Sequence, residues 1–415
     1  PEVLFDFGST VSVDSVVLEN GLIHIRSGRK ERVTQHADSL NLLITGFAID
    51  STLLNHNRFL FADDISFSLK NYNLNSDTSG LHISADIIHV PSSDSLISIN
   101  KIAVKNGNYD TITIPNLAIK EIDWDKLWNK DSLIIKTIAI ENPKINLSTR
   151  KIINKKEQTQ SLTQLENILP HGLVKHLRLN NGSVRLKQDT TGTHVAKQLD
   201  IHIEDFVFDS TFMKHKLPVK NLSFYIKEYE FENTTTSKIH AAIIKGDTKN
   251  GDLSIEGFNF STNEIDLTTP QVQLTGFELN TLYNNKKIVF NGVKLIDPEI
   301  NYVMHSSFRH ENRKDSSSLL DKLFNKITDI EGNRLKIING SVSVILPNSN
   351  HKLNHLDTEF EDLSISPSTL GSPDRIFSSK EIKLKFENYS YVNEDKLQLL
   401  KFDSFEASSI DSLLK

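Results

Sequence analysis

The chain contains no cysteine, and this one absence removes disulfide staples, thiolate nucleophiles and Cys-based zinc sites together. It sets no limit on compartment, because a Cys-free chain suits a bacterial periplasm as well as a cytoplasm. Glycine (17) and proline (11) are scarce among 415 residues, which excludes collagen-like and low-complexity architectures. A surplus of positive charge is missing too: 47 Lys+Arg against 53 Asp+Glu leave a net charge of −6. The basic runs, Arg29-Lys30-Glu31-Arg32 and Lys151 with Lys155-Lys156, are short and sit in polar connections. A nucleic-acid partner, which needs a basic stripe to displace counterions, is therefore not expected. No apolar run approaches the roughly 20 residues of a membrane-spanning helix. The best, Leu133 to Ile140, is short and carries Lys136. Any leader or membrane anchor is expected outside these residues.

What the chain has is strand-forming material. The apolar fraction is 38%, and Ile, Val, Phe, Tyr and Thr are plentiful, a composition that suits many strands with one wet face. Alternation is plain in Leu81-His82-Ile83-Ser84, in Ile201-His202-Ile203 and in Ile382-Lys383-Leu384-Lys385-Phe386. Two helices are expected. One, Ser161 to Leu169, opens on a Ser161/Gln164 capping box and stops at Pro170; the other carries Leu319, Leu320, Leu323, Phe324 and Ile327 at helical spacing.

One pattern recurs: apolar-x-apolar-x-[Asn/Asp]-[Gly/Pro]-x-apolar-x-apolar. Its Asn-Gly copies begin their dipeptides at Asn20, Asn181 and Asn339, with spacings of 161 and 158. Its Pro copies contain Asn142-Pro143 and Asp297-Pro298, 155 residues apart. Phe47 to Thr52 returns as Phe206 to Thr211, and Ser66 to Tyr72 returns as Ser223 to Tyr229. The sequence thus reads as three repeats, 1–160, 161–318 and a truncated 319–415, divided at the polar connections 148–160 and 306–318. About eight strands fill each complete repeat.

The central element has an odd step, with Leu18 to Ile23 and Leu179 to Val184 each five residues apart. In an unbroken strand an odd step changes face, so the parity must be corrected. A type I′ hairpin at Asn-Gly would do so, but proline cannot supply the positive φ that the second turn position needs. A bulge or kink explains both versions, while the hairpin remains open for the Asn-Gly copies. The expected fold is all-β with a few short helices, a repeated, mostly antiparallel twisted sheet curled into an elongated apolar groove. A string of separate β-sandwiches is the competing architecture.

Candidate chemistry is sparse. No phosphate-binding glycine loop or nucleophile elbow occurs. His24, His82, His202 and His240 fall on polar phases of strands and read as surface residues, so no metal and no cofactor is expected. Glu204-Asp205 and Glu361-Asp362 occupy corresponding repeat positions, and Asp63-Asp64 resembles them, which favours a backbone role over catalysis. Trp124, Trp128 and Tyr283 read as a small packing cluster rather than an apolar site. No enzyme is expected.

The strands of form Ile-x-Ile-x-Asn-[Gly/Pro]-x-Ile-x-Leu, the Gly46-Phe47-Ala48-Ile49-Asp50 entry and the Ile122 to Leu127 segment resemble the AsmA-like proteins, over essentially the whole chain. That resemblance implies a periplasmic part of a protein anchored in the inner membrane. It also implies an apolar β-groove carrying phospholipid between inner and outer membrane, with envelope proteins as further partners. The lining would be Ile138, Ile140, Ile145, Leu147, Leu177, Leu179, Val184, Leu186, Val293, Leu295, Ile300, Leu335, Ile337, Val342 and Val344. The alternative is a structural or interaction scaffold of tandem β-domains, with these side chains filling closed cores.

Overall fold

The computed structural model describes residues 11–27, 33–49, 62–76, 80–91, 96–107, 110–124, 126–127, 132–149, 171–188, 192–209, 218–233, 237–304, 328–366, 378–393, 398–409 and 413–414. The fold is all-β and repeated, as the alternation predicts, and the strands are mostly antiparallel. Two compact units are formed, one by residues 1–189, 198–214 and 218–220, the other by 190–197, 215–217 and 221–415. The two expected helices, at 161–169 and 319–327, lie outside the described residues, as does Trp128.

In the first unit β1 (Val11–Ser27), β2 (Val33–Ile49), β3 (Asp64–Ser76), β4 (Leu81–Val90), β5 (Leu96–Asn106), β6 (Asp110–Ile122) and β7 (Ser132–Glu141) pair antiparallel in chain order. After Asn142-Pro143 the chain resumes as β8 (Lys144–Thr149), which also pairs with β6. Strands β7 and β8 then lie parallel to β9 (His171–Gln188). β10 (Gly192–Asp209) pairs with β9, and the division between units falls within it.

The second unit repeats this plan. β11 (Asn221–Glu232), β12 (Lys238–Asp247), β13 (Asp252–Ser261), β14 (Ile265–Thr275) and β15 (Lys287–Ile296) are antiparallel neighbours. β16 (Glu299–Val303) returns to β14, and β15 and β16 run parallel to β17 (Asp329–Leu346). β18 (Ser349–Ile365), β19 (Glu381–Asn393), β20 (Leu399–Ser408) and the two-residue β21 (Leu413–Leu414) follow antiparallel. The one helix longer than a turn among the described residues, α1 (Leu279–Asn285), ends on Lys286 in the left-handed region. Tyr283 on it is 47% exposed. Trp124 is half-buried in a short helical turn after β6.

The odd step is resolved by a kink and not by a hairpin. β1, β9 and β17 run unbroken through their Asn-Gly pairs. Asn20, Asn181 and Asn339 adopt φ of 54°, 51° and 53°, while the glycines after them do not take positive φ. A left-handed residue inside a strand costs about 1–2 kcal/mol in general and least for Asn and Asp, which explains the residue chosen. Each kinked amide is also satisfied by a neighbouring strand: Asn20 N donates to Asn41 Oδ1 at 2.9 Å and Asn339 N to Asp357 Oδ1 at 2.8 Å. Similar kinks at Asn71, Lys101, Glu228 and Asn388 place one in β3, β5, β11 and β19 as well.

The glycine and the proline of the two motif versions fit each other. Asn142 N donates to Asn180 O at 2.9 Å and Ser183 N to Pro143 O at 2.8 Å. The same bonds recur from Asp297 N to Ile338 O and from Ser341 N to Pro298 O. Pro143 and Pro298 are fully buried. A Cβ placed on Gly182 would meet Pro143 Cγ at 3.1 Å, and one on Gly340 would meet Pro298 Cγ at 3.3 Å. The parallel neighbour therefore needs glycine where the proline ring arrives.

Candidate functional site: an apolar sheet face

Side chains directly opposed across paired strands project to the same face. Tracing these pairs through the first unit gives the row Leu40, Leu69, Ile88, Ile99, Leu117, Ile140, Leu179, unbroken over seven strands. A second row, beyond the kinks, runs Leu74, Ile83, Val104, Ile112, Ile145, Val184. The two rows lie five residues apart along each strand, and the left-handed residues Asn71, Lys101, Asn142 and Asn181 between them correct the parity where they occur, keeping both rows on one face. Without them, one row would turn to the other side.

The second unit carries the same design. One row is Ile226, Ile244, Ile255, Val272, Leu295, Ile337, Thr358, Leu384, Ala407. Another is Phe231, Ile239, Phe260, Leu267, Ile300, Val342, Leu353. At β19 and β20 the face turns aromatic, with Phe386 stacked on Phe405 at 5.0 Å and Tyr389 against Phe402 at 5.6 Å.

All fifteen residues expected as lining fall on this face. Ile138 and Ile140 oppose Leu177 and Leu179, and Ile145 and Leu147 oppose Val184 and Leu186. Val293 and Leu295 oppose Leu335 and Ile337, Ile300 opposes Val342, and Tyr302 opposes Val344. Fourteen of the fifteen are half-buried and Leu147 is exposed at 36%. None is fully buried, as a closed core would require. Among the described residues each strand packs substantially only on its hydrogen-bonded neighbours, with α1 on β15 as the one addition. Open hollows border the face, about 350 Å³ around Ile337, Thr358, Leu384 and Ala407 and about 550 Å³ around Gly246, Leu253 and Leu274.

The strands between the repeated motifs, β3 to β6 and β11 to β14, supply as much of the face as the motifs do. Reading from the motif alone misses them, although their alternation was visible. The few buried polar groups on the face are internally satisfied: Thr269 Oγ1 donates to Ile296 O at 2.7 Å and Thr358 Oγ1 to Lys383 O at 2.9 Å. Burial raises the phenols of Tyr72 and Tyr229 above their ordinary value.

The opposite face is charged. Tyr225, Lys245, Ser254, Gln273, Lys294, Lys336, Glu359 and Lys383 form one of its rows. Lys245 pairs with Glu256 at 2.9 Å, and Glu359 accepts both Arg334 at 2.9 Å and Lys336 at 3.0 Å. A hydrogen bond to Glu381, with its charge, holds the Lys383 ammonium above its ordinary range. Such exposed pairs contribute at most about 1 kcal/mol each, so they keep this face wet rather than hold the fold together. Asp205 and Asp362, both with φ of 51°, are kink residues, consistent with a backbone role for the two acidic pairs.

The rows are apolar apart from Thr358, whose hydroxyl is already engaged by Lys383 O. No helix among the described residues is long and apolar enough to cross a membrane. Comparison of the chain with protein-family models, with curated proteins and with solved structures finds no match.

Proposed function

We propose that this chain is the periplasmic part of an AsmA-like protein, and that its apolar sheet face is a groove for the acyl chains of phospholipid passing between inner and outer membrane. The observation that carries this reading is the set of long apolar rows within each unit, half-buried and, among the described residues, without a covering layer. A core-filling role would bury these side chains, and a surface presented to soluble partners would not keep one face apolar over seven or more consecutive strands. Each methylene that such a face takes out of water contributes about 0.8 kcal/mol, so chain length and not headgroup chemistry would dominate the affinity. Sliding along the rows needs no residue-specific bond, which fits a face made of Ile, Leu and Val. An inner-membrane anchor and envelope partners belong to the same proposal and would involve segments other than these residues.

The test is lipid extraction and native mass spectrometry of the chain purified from a bacterial envelope. Co-purifying phospholipid is the expected result. A protein that stays lipid-free, and that takes up no fluorescent phospholipid from vesicles, would refute the groove.

A further inference from the structure

The polar face of the first unit holds a second constellation, independent of the apolar groove. His176 on β9 with His202 and Glu204 on β10 offers two imidazole nitrogens and a carboxylate oxygen, all within 4.8 Å of one another. The two rings lie 5.8 Å apart, tilted by 33°. His176 Nδ1 and His202 Nε2 are buried and have no hydrogen-bond partner. Orphaned buried polar atoms are uncommon in native folds and call for an occupant. A cation held by both rings would give these nitrogens the partner they lack.

Comparison of the repeats sharpens the case. Asp205 and Asp362 are equivalent kinks, each following a glutamate. His202 and Glu204 therefore correspond to Glu359 and Glu361, and His176 corresponds to Arg334. In that third copy an ion pair closes the slot: Arg334 Nε lies 2.9 Å from Glu359 Oε1 and Arg334 Nη2 3.5 Å from Glu361 Oε1. In the first copy the same positions hold Ser15, Leu43 and Thr45, with Ser15 opposite Thr45. Only the middle copy replaces the ion pair with three metal-ligating side chains. The set departs from what the scaffold needs everywhere else, which argues for a role of its own.

Its geometry is a known way for a sheet to grip a metal. Residues two apart on one strand share a face, and a cross-strand neighbour adds the third donor. Two neutral imidazoles and one carboxylate suit a borderline divalent ion at about 2.0–2.2 Å and leave a fourth position for water. We propose that His176, His202 and Glu204 form a three-ligand site for a zinc-like divalent cation.

Calorimetric titration of the chelator-treated 415-residue chain with Zn²⁺ tests this. One saturable site is expected; His176→Ala and His202→Ala each weaken it at least 100-fold, whereas His240→Ala leaves it unchanged. Absence of a saturable site, or a site that persists in the His176→Ala/His202→Ala double variant, overturns the proposal. Should either variant unfold by circular dichroism, imidazole ¹⁵N spectra of the unaltered chain decide. Zn²⁺ must then shift Nδ1 of His176 and Nε2 of His202, and shifts confined to other histidines refute the site.

Discussion

Gly182→Ala should destabilise the first unit, although alanine in a strand ordinarily does better than glycine by about 0.5–1 kcal/mol. Gly182 does not adopt positive φ, so the backbone raises no objection. The objection is steric. A Cβ there would lie 2.6 Å from Leu179 Cδ2, 3.1 Å from Pro143 Cγ and 3.3 Å from Leu199 O. Leu179 can shift only by leaving its place opposite Ile140, and the proline ring is rigid and fully buried. Overpacking of this kind costs about 1–3 kcal/mol, which set against the alanine gain leaves a net loss centred on about 1 kcal/mol and reaching about 2.5 kcal/mol. Gly21 is the internal control. Its added Cβ would meet Leu18 Cδ2 at 3.1 Å and Leu40 O at 3.5 Å, with no proline nearby. Gly21→Ala should therefore be close to neutral. Urea unfolding followed by circular dichroism measures both, and Pro143→Ala in the Gly182→Ala background should recover part of the loss through a coupling of at least about 0.5 kcal/mol. If Gly182→Ala proves as harmless as Gly21→Ala, the pairing of Asn-Pro strand with Asn-Gly strand does not have the fit described.

Three further outcomes follow from individual groups. Thr269→Val should cost about 1 kcal/mol in urea unfolding, because the hydroxyl that caps Ile296 O is lost from a buried position. Glu359→Gln should cost no more than about 1 kcal/mol, and the difference should shrink as salt rises from low to high, since the carboxylate serves Arg334 and Lys336 near the surface. Burial raises the Tyr229 phenol above 10.0, so the stability it contributes is intact below that pH and lost as pH climbs through the raised value. Tyr229→Phe should accordingly flatten the alkaline limb of stability measured against pH, and an unchanged limb would contradict the assignment.

Much of the fold was legible because strand alternation is local. The offsets from Asn20 to Asn181 and Asn339 located the repeats, and the five-residue step from Leu179 to Val184 required a parity correction that the kink at Asn181 supplies. Pairing was less legible. That Asn142-Pro143 lies beside Asn181-Gly182 in a parallel ladder depends on a connection across residues 150–170, and nothing local to either motif states it. Kinks at Lys101 and Glu228 carry no local signal, because these residue types do not favour left-handed backbone; Lys101 is held instead by Asp86 on the neighbouring strand β4, at 2.7 Å. Helix α1 lacks a side-chain cap at Glu278, which removes the usual signal for its start. His202 read as a surface residue, yet cross-strand register brings it to His176, 26 positions earlier in the chain. The lining residues were legible only where the motif repeats them, and the rest of the face emerged from register.

The central claim is that the apolar rows form an open lipid-binding face. Its most direct test is phospholipid bound per chain, by native mass spectrometry, in the unaltered protein and in Ile140→Asp. Ile140 is half-buried within its row, opposite Leu117 and Leu179. On an open face the carboxylate keeps access to water, so the variant should fold with an unchanged circular dichroism spectrum and lose the lipid. Unfolding of the variant would reveal a filled core, where an unpaired charge is costly. Lipid retained in full by a folded Ile140→Asp, or absent from the unaltered chain, would contradict the groove.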